Sequence, residues 1–407
     1  MLFPFVKSEN KKRGKTVLIL DIGSGSVAGS FVELAQNKNP KVMYVKRVPM
    51  KFVRELSGNR FKKGMFTALG VVLDDLSKKG LSSLGSDASK KRIKKVYCSL
   101  ASPWFVSQTK TVKIKKEEPF VITSKFISDF LNREEGDFEN SNLSKYGSGR
   151  KQESEVIERK LIDMKLNGYK VGNPLGKKAK EAELTLFLSM SQTSILDEIE
   201  DVITKYFYTE DLTFHSFTLV SFSAIRDMYD RVTDFLLLDI AGEVTDISLV
   251  KQGNVLKTMS FPVGKNTLLR FLAEELRTSS EEALSSLRLF YTESLFGGKI
   301  DKLRKSITKV GGTWLREFRN ALTTLSTGDS VPSTIFFTAD EDLSNFYNRL
   351  MKSEEFSQSI MTDGLFVVSF VNCSSLDSYV LFRTKEEKDT FIAIEAIFFN
   401  RVFELER

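Results

Sequence analysis

A short pattern occurs twice in this chain and restricts its possible folds more than any other feature. An apolar strand that ends in Asp-Ile and continues into small residues lies at 18–26, LILDIGSGS, and again at 236–244, LLLDIAGEV. Apolar runs of this kind are typical of buried strands, and the small residues after them predict a tight turn. Two copies of one supersecondary unit, far apart in the chain, indicate two related lobes whose turns face a common cleft.

The first copy carries the residue types that bind a phosphate group. Gly23 and Gly25 let backbone N–H groups converge on an anion, and Ser24 and Ser26 add hydroxyl donors. Asp21, at the end of the strand, is placed to orient Mg²⁺ through water, since Mg²⁺ keeps several of its waters. The alternative is a plain hairpin turn, and the second copy of the pattern favours phosphate binding.

Composition limits the classes of function. The 407 residues include 60 basic and 53 acidic side chains, a net charge of +7, without a dense basic stripe interleaved with aromatics, so no nucleic-acid partner is expected. Two distant cysteines, Cys98 and Cys373, argue against a disulfide framework and indicate a reducing, cytoplasmic compartment. The single histidine, His215, cannot supply a multi-histidine metal site, and we interpret it as structural.

Three further segments affect the domain and membrane interpretation. Residues 1–15 are interpreted as a flexible arm, with a weak membrane-touching arm as the alternative, and no stretch reaches the roughly 18 apolar residues that span a bilayer. Residues 134–156 are polar and poor in large apolar side chains, which predicts a long mobile loop. A final helix at 387–403 is apolar on nearly all sides, so we interpret it as a core helix rather than a membrane-surface helix.

The duplicated loops resemble the phosphate loops of the superfamily that contains actin, the sugar kinases and the heat-shock ATPases. Asp-Ile-Gly-Ser-Gly-Ser at 21–26 resembles the first phosphate loop. Residues 239–246 resemble the second, usually written Asp-x-Gly-Gly-Gly-Thr-Thr-Asp. FPVGKNTLLRFLAEEL, which contains Gly264, is similar to the strand and helix that follow. SSEEALSSLR, ending at Arg288, looks like the adenosine-contacting helix, and FFTADEDL, with Thr338 and Ala339, looks like the adenosine loop. The resemblance implies ATP as cofactor, with Mg²⁺ held through water by Asp21 and Asp239.

The second loop departs from the family pattern at three positions. The loop keeps the family residue at Asp239, Gly242, Thr245 and Asp246. Ala241 and Glu243 stand in place of glycines, and Val244 stands in place of a threonine. A carboxylate at Glu243 would repel a phosphate unless it pointed away or met the metal. On the adenosine side, Ala339 and Asp340 stand where the family has paired glycines. A structural hairpin with weakened nucleotide binding is therefore the alternative, and no residue can be named as a catalytic base.

Between the two loops the chain resembles the inserted subdomain of the bacterial division protein FtsA, which the pilus protein PilM shares in outline. The matching segments are VYCSLASPWFVSQTKTVKIKK, ITSKFISDFL and NGYKVGNPLG. The FtsA/PilM group implies an α/β, two-lobed actin-like (duplicated RNase H-like) fold with a small inserted α+β subdomain of the SHS2 type. The implied boundaries are a first lobe at 16–92 and 191–230, the insertion at 93–190, and a second lobe at 231–407 with a helical subdomain at 266–330.

The same resemblance implies a cytoplasmic scaffold, placed at the inner face of the membrane through its partners. One expectation is an FtsA-like protein that associates with itself into an oligomer or filament and links division-ring proteins to the membrane. The alternative is a PilM-like platform for pilus or secretion assembly, which would bind a cytoplasmic peptide of a membrane protein. A scaffold that has lost nucleotide binding is a third possibility. ATP hydrolysis is expected to be slow or absent.

Overall fold

A computed structural model describes residues 14–50, 58–85, 93–146, 154–292, 299–326, 330–353, 365–384 and 388–405. The expected N-terminal arm lies outside the described residues up to position 13, and so does the part of the expected mobile loop at 147–153. In the described ranges, no helix combines the length and apolar character needed to cross a bilayer.

Both strands and helices occur along the whole of these ranges. The strands, in chain order, are β1 (Lys15–Ile22), β2 (Ser26–Leu34), β3 (Lys41–Pro49), β4 (Lys95–Leu100), β5 (Val106–Val121), β6 (Ser154–Leu166), β7 (Tyr169–Lys170), β8 (Lys178–Gln192), β9 (Asp211–Ser216), β10 (Phe235–Ile240), β11 (Thr245–Lys251), β12 (Asn254–Phe261), β13 (Thr334–Ala339), β14 (Val367–Phe370) and β15 (Leu381–Phe382). The helices are α1 (Gly58–Asp75), α2 (Leu81–Ser83), α3 (Ser124–Tyr146), α4 (Thr193–Thr204), α5 (Phe217–Met228), α6 (Lys265–Leu276), α7 (Ser280–Tyr291), α8 (Lys299–Ser326), α9 (Glu341–Met351), α10 (Cys373–Leu376) and α11 (Thr390–Leu405), with a π-helical turn between α1 and α2 at Leu76–Gly80.

Two sheets repeat one topology. The first has the order β15-β3-β2-β1-β4-β9, and the second has the order β12-β11-β10-β13-β14. β1 pairs antiparallel with β2 and parallel with β4, just as β10 pairs antiparallel with β11 and parallel with β13. The duplicated sequence pattern therefore forms the corresponding strand of each sheet, and the two-lobed α/β fold is confirmed.

A third, antiparallel sheet with the order β5-β8-β6-β7 forms the insertion together with α3. The expected start of the insertion at 93 is wrong, because β4 pairs with β1 and belongs to the first sheet. The loop expected at 134–156 is also wrong up to Tyr146, where α3 ends. Phe130, Glu134 and Phe138 recur at helical spacing and are all buried, so this polar segment has a face that packs against the sheet.

The last strand and helix return to the first lobe. β15 pairs parallel with β3 at the edge of the first sheet, and Phe399 of α11 stacks on Tyr97 of β4 with ring centroids 4.2 Å apart. The second-lobe boundary at 231–407 is therefore wrong for residues 373–384 and 388–405. As expected for a core helix, α11 is buried on most sides, including Ile392, Ile394 and Phe399.

One hydrophobic core joins the two lobes. It contains residues of α5 and α11 together with side chains from β1 and from β10, such as Val17, Ile19, Phe235 and Leu237. A close-packed core of this kind fixes the relative position of the two sheets. It thereby places the ends of β1 and β10, and the loops that follow them, next to each other.

Candidate functional site

The two duplicated loops meet at the ends of β1 and β10. A methyl group added at Gly242 would lie 2.5 Å from both Cα and N of Gly25, so the two backbones are already in contact at this point. The backbone N–H of Glu243 also donates to Ser24 Oγ at 3.0 Å across the cleft. Glycine is required at 25 and 242 by this close approach of two loops, whereas the sequence analysis assigned both residues to phosphate binding.

Asp21 is ion-paired with an arginine that the sequence analysis did not identify. Arg47 donates from one Nη to Asp21 Oδ2 at 2.7 Å and from the other to Ser26 Oγ at 2.8 Å. Burial raises the pKa of Asp21, and the guanidinium of Arg47 opposes that rise. The position beside Asp21 that the resemblance assigned to Mg²⁺ is thus filled by a side chain of the protein itself.

Asp389 is the second partner of Arg47 and the N-cap of α11. Its two carboxylate oxygens accept from Nε and Nη2 of Arg47 at 2.6 and 2.9 Å. Asp389 Oδ1 also accepts from the backbone N–H groups of Phe391 and Ile392, both at 3.1 Å. Burial works against ionisation, but Arg47 and these amides outweigh it and lower the pKa of Asp389. An aspartate directly before an apolar helix is a recognisable cap signal, so this role could have been predicted.

The carboxylates of the second loop accept from neighbouring hydroxyls. Asp239 Oδ1 accepts from Thr338 Oγ1 at 2.8 Å, and Asp246 Oδ1 accepts from Ser102 Oγ at 2.8 Å and from Ser260 Oγ at 2.5 Å. Burial, followed by the charge of Asp246, raises the pKa of Asp239 well above its ordinary value. Burial also raises the pKa of Asp246.

Glu243, the replacement that would repel phosphate, turns away from the cleft. Its carboxylate accepts from both Nη atoms of Arg270 at 3.0 and 2.5 Å. Asn266 and Thr267 of α6 donate to the same carboxylate at 3.1 and 3.2 Å. The glutamate therefore ties the second loop to α6, and its negative charge is compensated there.

The N-terminus of α6 has no amides left for an anion at its first two positions. The N–H of Lys265 donates to the carbonyl of Ala241 at 2.9 Å, and that of Asn266 donates to the carbonyl of Gly242 at 2.7 Å. Gly264 packs so closely here that an added methyl group would lie 2.5 Å from the oxygen of Ala241. The Lys265 side chain is ion-paired with Asp340. The first two amides of this helix start are therefore satisfied internally rather than free to bind phosphate.

Some of the predicted residues line a cavity in the cleft, and others lie in the core or at the surface of the second lobe. Ala339 is buried at the end of β13. Thr245 faces the core of the second lobe, where its hydroxyl donates to the carbonyl of Val263 at 2.8 Å and accepts from Trp314 Nε1 at 3.2 Å. Arg288 is half-exposed and ion-paired with Asp342 of α9. Those that line one cavity with Asp340 and Phe391 are Asp21, Gly23, Ser24, Gly25, Ser26, Asp239 and Gly242.

That cavity is too small for a nucleotide in this arrangement. Its volume is about 40 Å³, enough for a few water molecules, whereas small-molecule pockets hold roughly 300–1,000 Å³. No group of three or more His, Cys, Asp or Glu suited to a metal is found among the described residues. The structure thus brings seven of the predicted site residues to one cavity, but Asp21 and Asp239 are already paired with Arg47 and Thr338, and the arrangement does not fit Mg²⁺ and ATP.

A much larger groove lies beside the cleft, between the insertion and the second lobe. Its volume is about 750 Å³. It is lined by Ser107 and Gln108 of β5, Phe138 of α3, and Thr258, Met259 and Ser260 of β12. Ser107 Oγ and Thr258 Oγ1 are 3.3 Å apart at the point where the two walls meet. The sequence analysis did not identify this groove, because its walls come from two separate domains.

Solved structures share the fold of this chain. The "PilM-PilN type IV pilus biogenesis complex" matches 94% of this chain and 96% of that chain, with a TM-score of 0.62 and 13% sequence identity. A Bacteroides thetaiotaomicron protein with an actin-like ATPase fold matches at a TM-score of 0.43 and 10% identity, covering 96% of this chain and 99% of that one. The ethanolamine utilization protein EutJ from Carboxydothermus hydrogenoformans matches at 0.43 and 12%, covering 96% and 92%. No family model matches the chain, and no curated protein matches it by sequence. At these identities the likeness shows the fold alone, which is the actin-like ATPase fold.

Proposed function

We propose that this chain is a scaffold of the PilM-like kind, which holds a short cytoplasmic peptide of a membrane protein in pilus or secretion assembly. The observation that carries the proposal is the contrast between two spaces. The nucleotide cleft holds about 40 Å³ between loops in contact, while the neighbouring groove offers about 750 Å³. The match to a PilM–PilN complex over most of both chains supports a platform that works through a partner.

An extended peptide fits the walls of this groove. β5 is the first strand in the order of the inserted sheet, and β12 is the first strand in the order of the second-lobe sheet. Edge strands have backbone N–H and C=O groups that an added strand can pair with. Phe138 and Met259 supply apolar contacts, and the hydroxyls of Ser107 and Thr258 supply donors and acceptors. A segment with alternating apolar and polar side chains matches these walls.

The NGYKVGNPLG segment, which resembles part of FtsA, has a local structural explanation. In NGYKVGNPLG, Asn167 and Gly168 have φ angles of 50° and 85° and form the turn between β6 and β7. Asn167 Oδ1 accepts from the backbone N–H groups of Lys180 and Glu181 at 3.0 and 3.1 Å. Because these contacts build the hairpin, the motif does not by itself favour division over pilus assembly. Self-association and a division-ring partner are the competing outcomes of the test below.

The test is binding of synthetic peptides that match the cytoplasmic termini of membrane proteins encoded beside this gene, followed by fluorescence anisotropy. We expect one peptide to bind, and we expect Thr258→Arg, which places a long charged side chain in the groove, to weaken binding at least tenfold. Thr324→Arg is the matched control, because Thr324 is exposed on α8 and outside the groove. Equal peptide binding by both variants would refute the proposal that the peptide binds in this groove. Absence of binding to every peptide, together with sedimentation of the protein as a filament, would favour the self-associating alternative.

A further inference from the structure

Arg47 owes its position to the register of the first sheet. Asp21 of β1 lies opposite Ala28 of β2, and Ala28 lies opposite Arg47 of β3. Side chains in register on neighbouring strands point to one face, and neighbouring strands are about 4.8 Å apart. The fully buried Ala28 between them has only a methyl group, so the long side chain of Arg47 can cross it and reach Asp21.

Among the described residues, acidic and basic side chains lie together at the cleft. The acidic ones include Asp21, Asp239, Asp340 and Asp389, with Glu395 buried near Asp21, and the basic ones include Arg47 and Lys265. Both basic groups are engaged in ion pairs, Arg47 with Asp21 and Asp389 and Lys265 with Asp340. A triphosphate arriving here would meet carboxylates whose counter-charges are already paired. The electrostatic cost of such an approach is large where water is excluded.

We infer that Arg47 is a built-in counter-ion, which takes the place beside Asp21 that the family resemblance gives to Mg²⁺, so that the cleft binds neither Mg²⁺ nor MgATP. With Asp21 neutralised from within the first lobe, the loops at Gly25 and Gly242 meet without a ligand between them. The inference is separate from the peptide proposal, because Arg47 does not line the groove. Binding of MgATP would remove the small cleft as support for the peptide proposal, but peptide binding to the groove would still be tested by its own variants.

The first measurement is titration of the wild-type protein with MgATP by calorimetry, together with its thermal unfolding with and without MgATP. We expect no heat of binding up to millimolar ligand and no change in Tm. Saturable binding, or a rise in Tm with MgATP, would overturn the inference.

The second measurement compares two variants of the same strand. Arg47→Met removes the counter-ion of two buried carboxylates and is expected to lower Tm by several degrees, because an uncompensated buried charge is strongly destabilising. Lys46→Met is the matched control. The Lys46 side chain is 36% exposed and lies 4.0 Å from its nearest acidic partner, Asp75, so its loss should leave Tm unchanged. Equal Tm values for both variants would overturn the role of Arg47.

The third measurement tests the assignment of Arg47 to the position of the cation. Magnesium chloride should raise the Tm of Arg47→Met, while sodium chloride of equal ionic strength should not. Magnesium chloride should not raise the Tm of the wild type or of the double variant Asp21→Asn, Arg47→Met. Absence of this recovery would overturn the assignment. If Arg47→Met does not fold, Asp389→Asn replaces it, because asparagine keeps the helix cap and removes one of the two charges. An Asp389→Asn protein as stable as the wild type would then refute the inference.

Discussion

Glu395, in the middle of α11, allows a test of the buried charge around the cleft that does not involve any ligand. Its side chain has no solvent exposure. Burial, and after it the charge of Asp21, raises the pKa of Glu395 well above its ordinary value. Proton binding to this carboxyl group is therefore tighter in the folded state than in the unfolded chain, and Glu395→Gln replaces the group with a side chain of similar shape that cannot ionise.

The sign of the effect follows from the raised pKa. The folded state binds this proton more tightly than the unfolded chain, so the stabilisation is complete below the unfolded pKa, roughly 4.3 for glutamate. It is lost as the pH rises through the folded-state pKa. Between the unfolded-state and the folded-state pKa, the release of this one proton changes the free energy of unfolding by at most about 1.4 kcal/mol per pH unit. Between pH 5 and 7, the stability of Glu395→Gln relative to wild type should thus increase by up to about 2.7 kcal/mol.

The assay is urea unfolding of both proteins at pH 5, 6 and 7, compared as a difference at each pH. The difference is essential, because the pKa values of Asp21, Asp239 and Asp246 are also raised and contribute to the slope of the wild type. Glu200→Gln, at an exposed position on α4, is the control and should give a difference that does not depend on pH. A flat curve for Glu395→Gln would refute the reasoning, since it would mean that this carboxyl group has the same pKa in both states.

Substitutions at three other residues test separate parts of the structure. Glu158→Ala removes the buried acceptor of the Ser189 hydroxyl at 2.7 Å and of the Ser216 N–H at 3.1 Å; we expect a loss of about 1–3 kcal/mol for each donor left unsatisfied, measured by urea unfolding, with faster hydrogen exchange in β6 and β9. Trp314→Ala leaves a cavity in the core of the second lobe, where the Trp314 side chain is fully buried. It should lower the free energy of unfolding by about 3–5 kcal/mol in the same assay. Ser279→Ala removes the capping box of α7 and should cost about 1 kcal/mol, whereas Ser279→Gly should cost only a few tenths; equal losses for both would contradict the cap.

The parts of the fold that could be predicted are those whose signal is local. The two strand-and-turn repeats contain their own pattern, and they became corresponding strands of the two sheets. A cap also overrides composition locally. The apolar residues 217–220 alone would continue strand β9, but the Ser216 side chain accepts from the N–H of Leu219 and α5 begins at Phe217. The strand signal at these apolar residues was outweighed by one hydroxyl and by the packing of α5 between the sheets.

The features that were missed depend on tertiary contacts. Phe138 and Glu134 are buried only because α3 packs on the inserted sheet, which the polar composition of the segment does not indicate. Glu243 was expected to repel a phosphate unless it pointed away, and the ion pair with Arg270 that turns it away depends on how α6 follows the second loop. Arg47 has no motif of its own. Only the strand register, in which Ala28 stands between Arg47 and Asp21, reveals its role.

The return of β15 and α11 to the first sheet also affects the order in which the protein can fold. The insertion from β5 to β8 and the second lobe from β10 to β14 are each continuous in sequence, so each can fold as a unit as soon as it has been synthesised. The first lobe cannot, because Arg47 and Asp389 are 342 residues apart. Non-local contacts of this kind form slowly, since the entropy of closing the intervening chain is lost before the contact is gained. During synthesis, the apolar face of β1 and β2 therefore stays uncovered until α11 has been made, and exposed apolar surface of this kind favours aggregation.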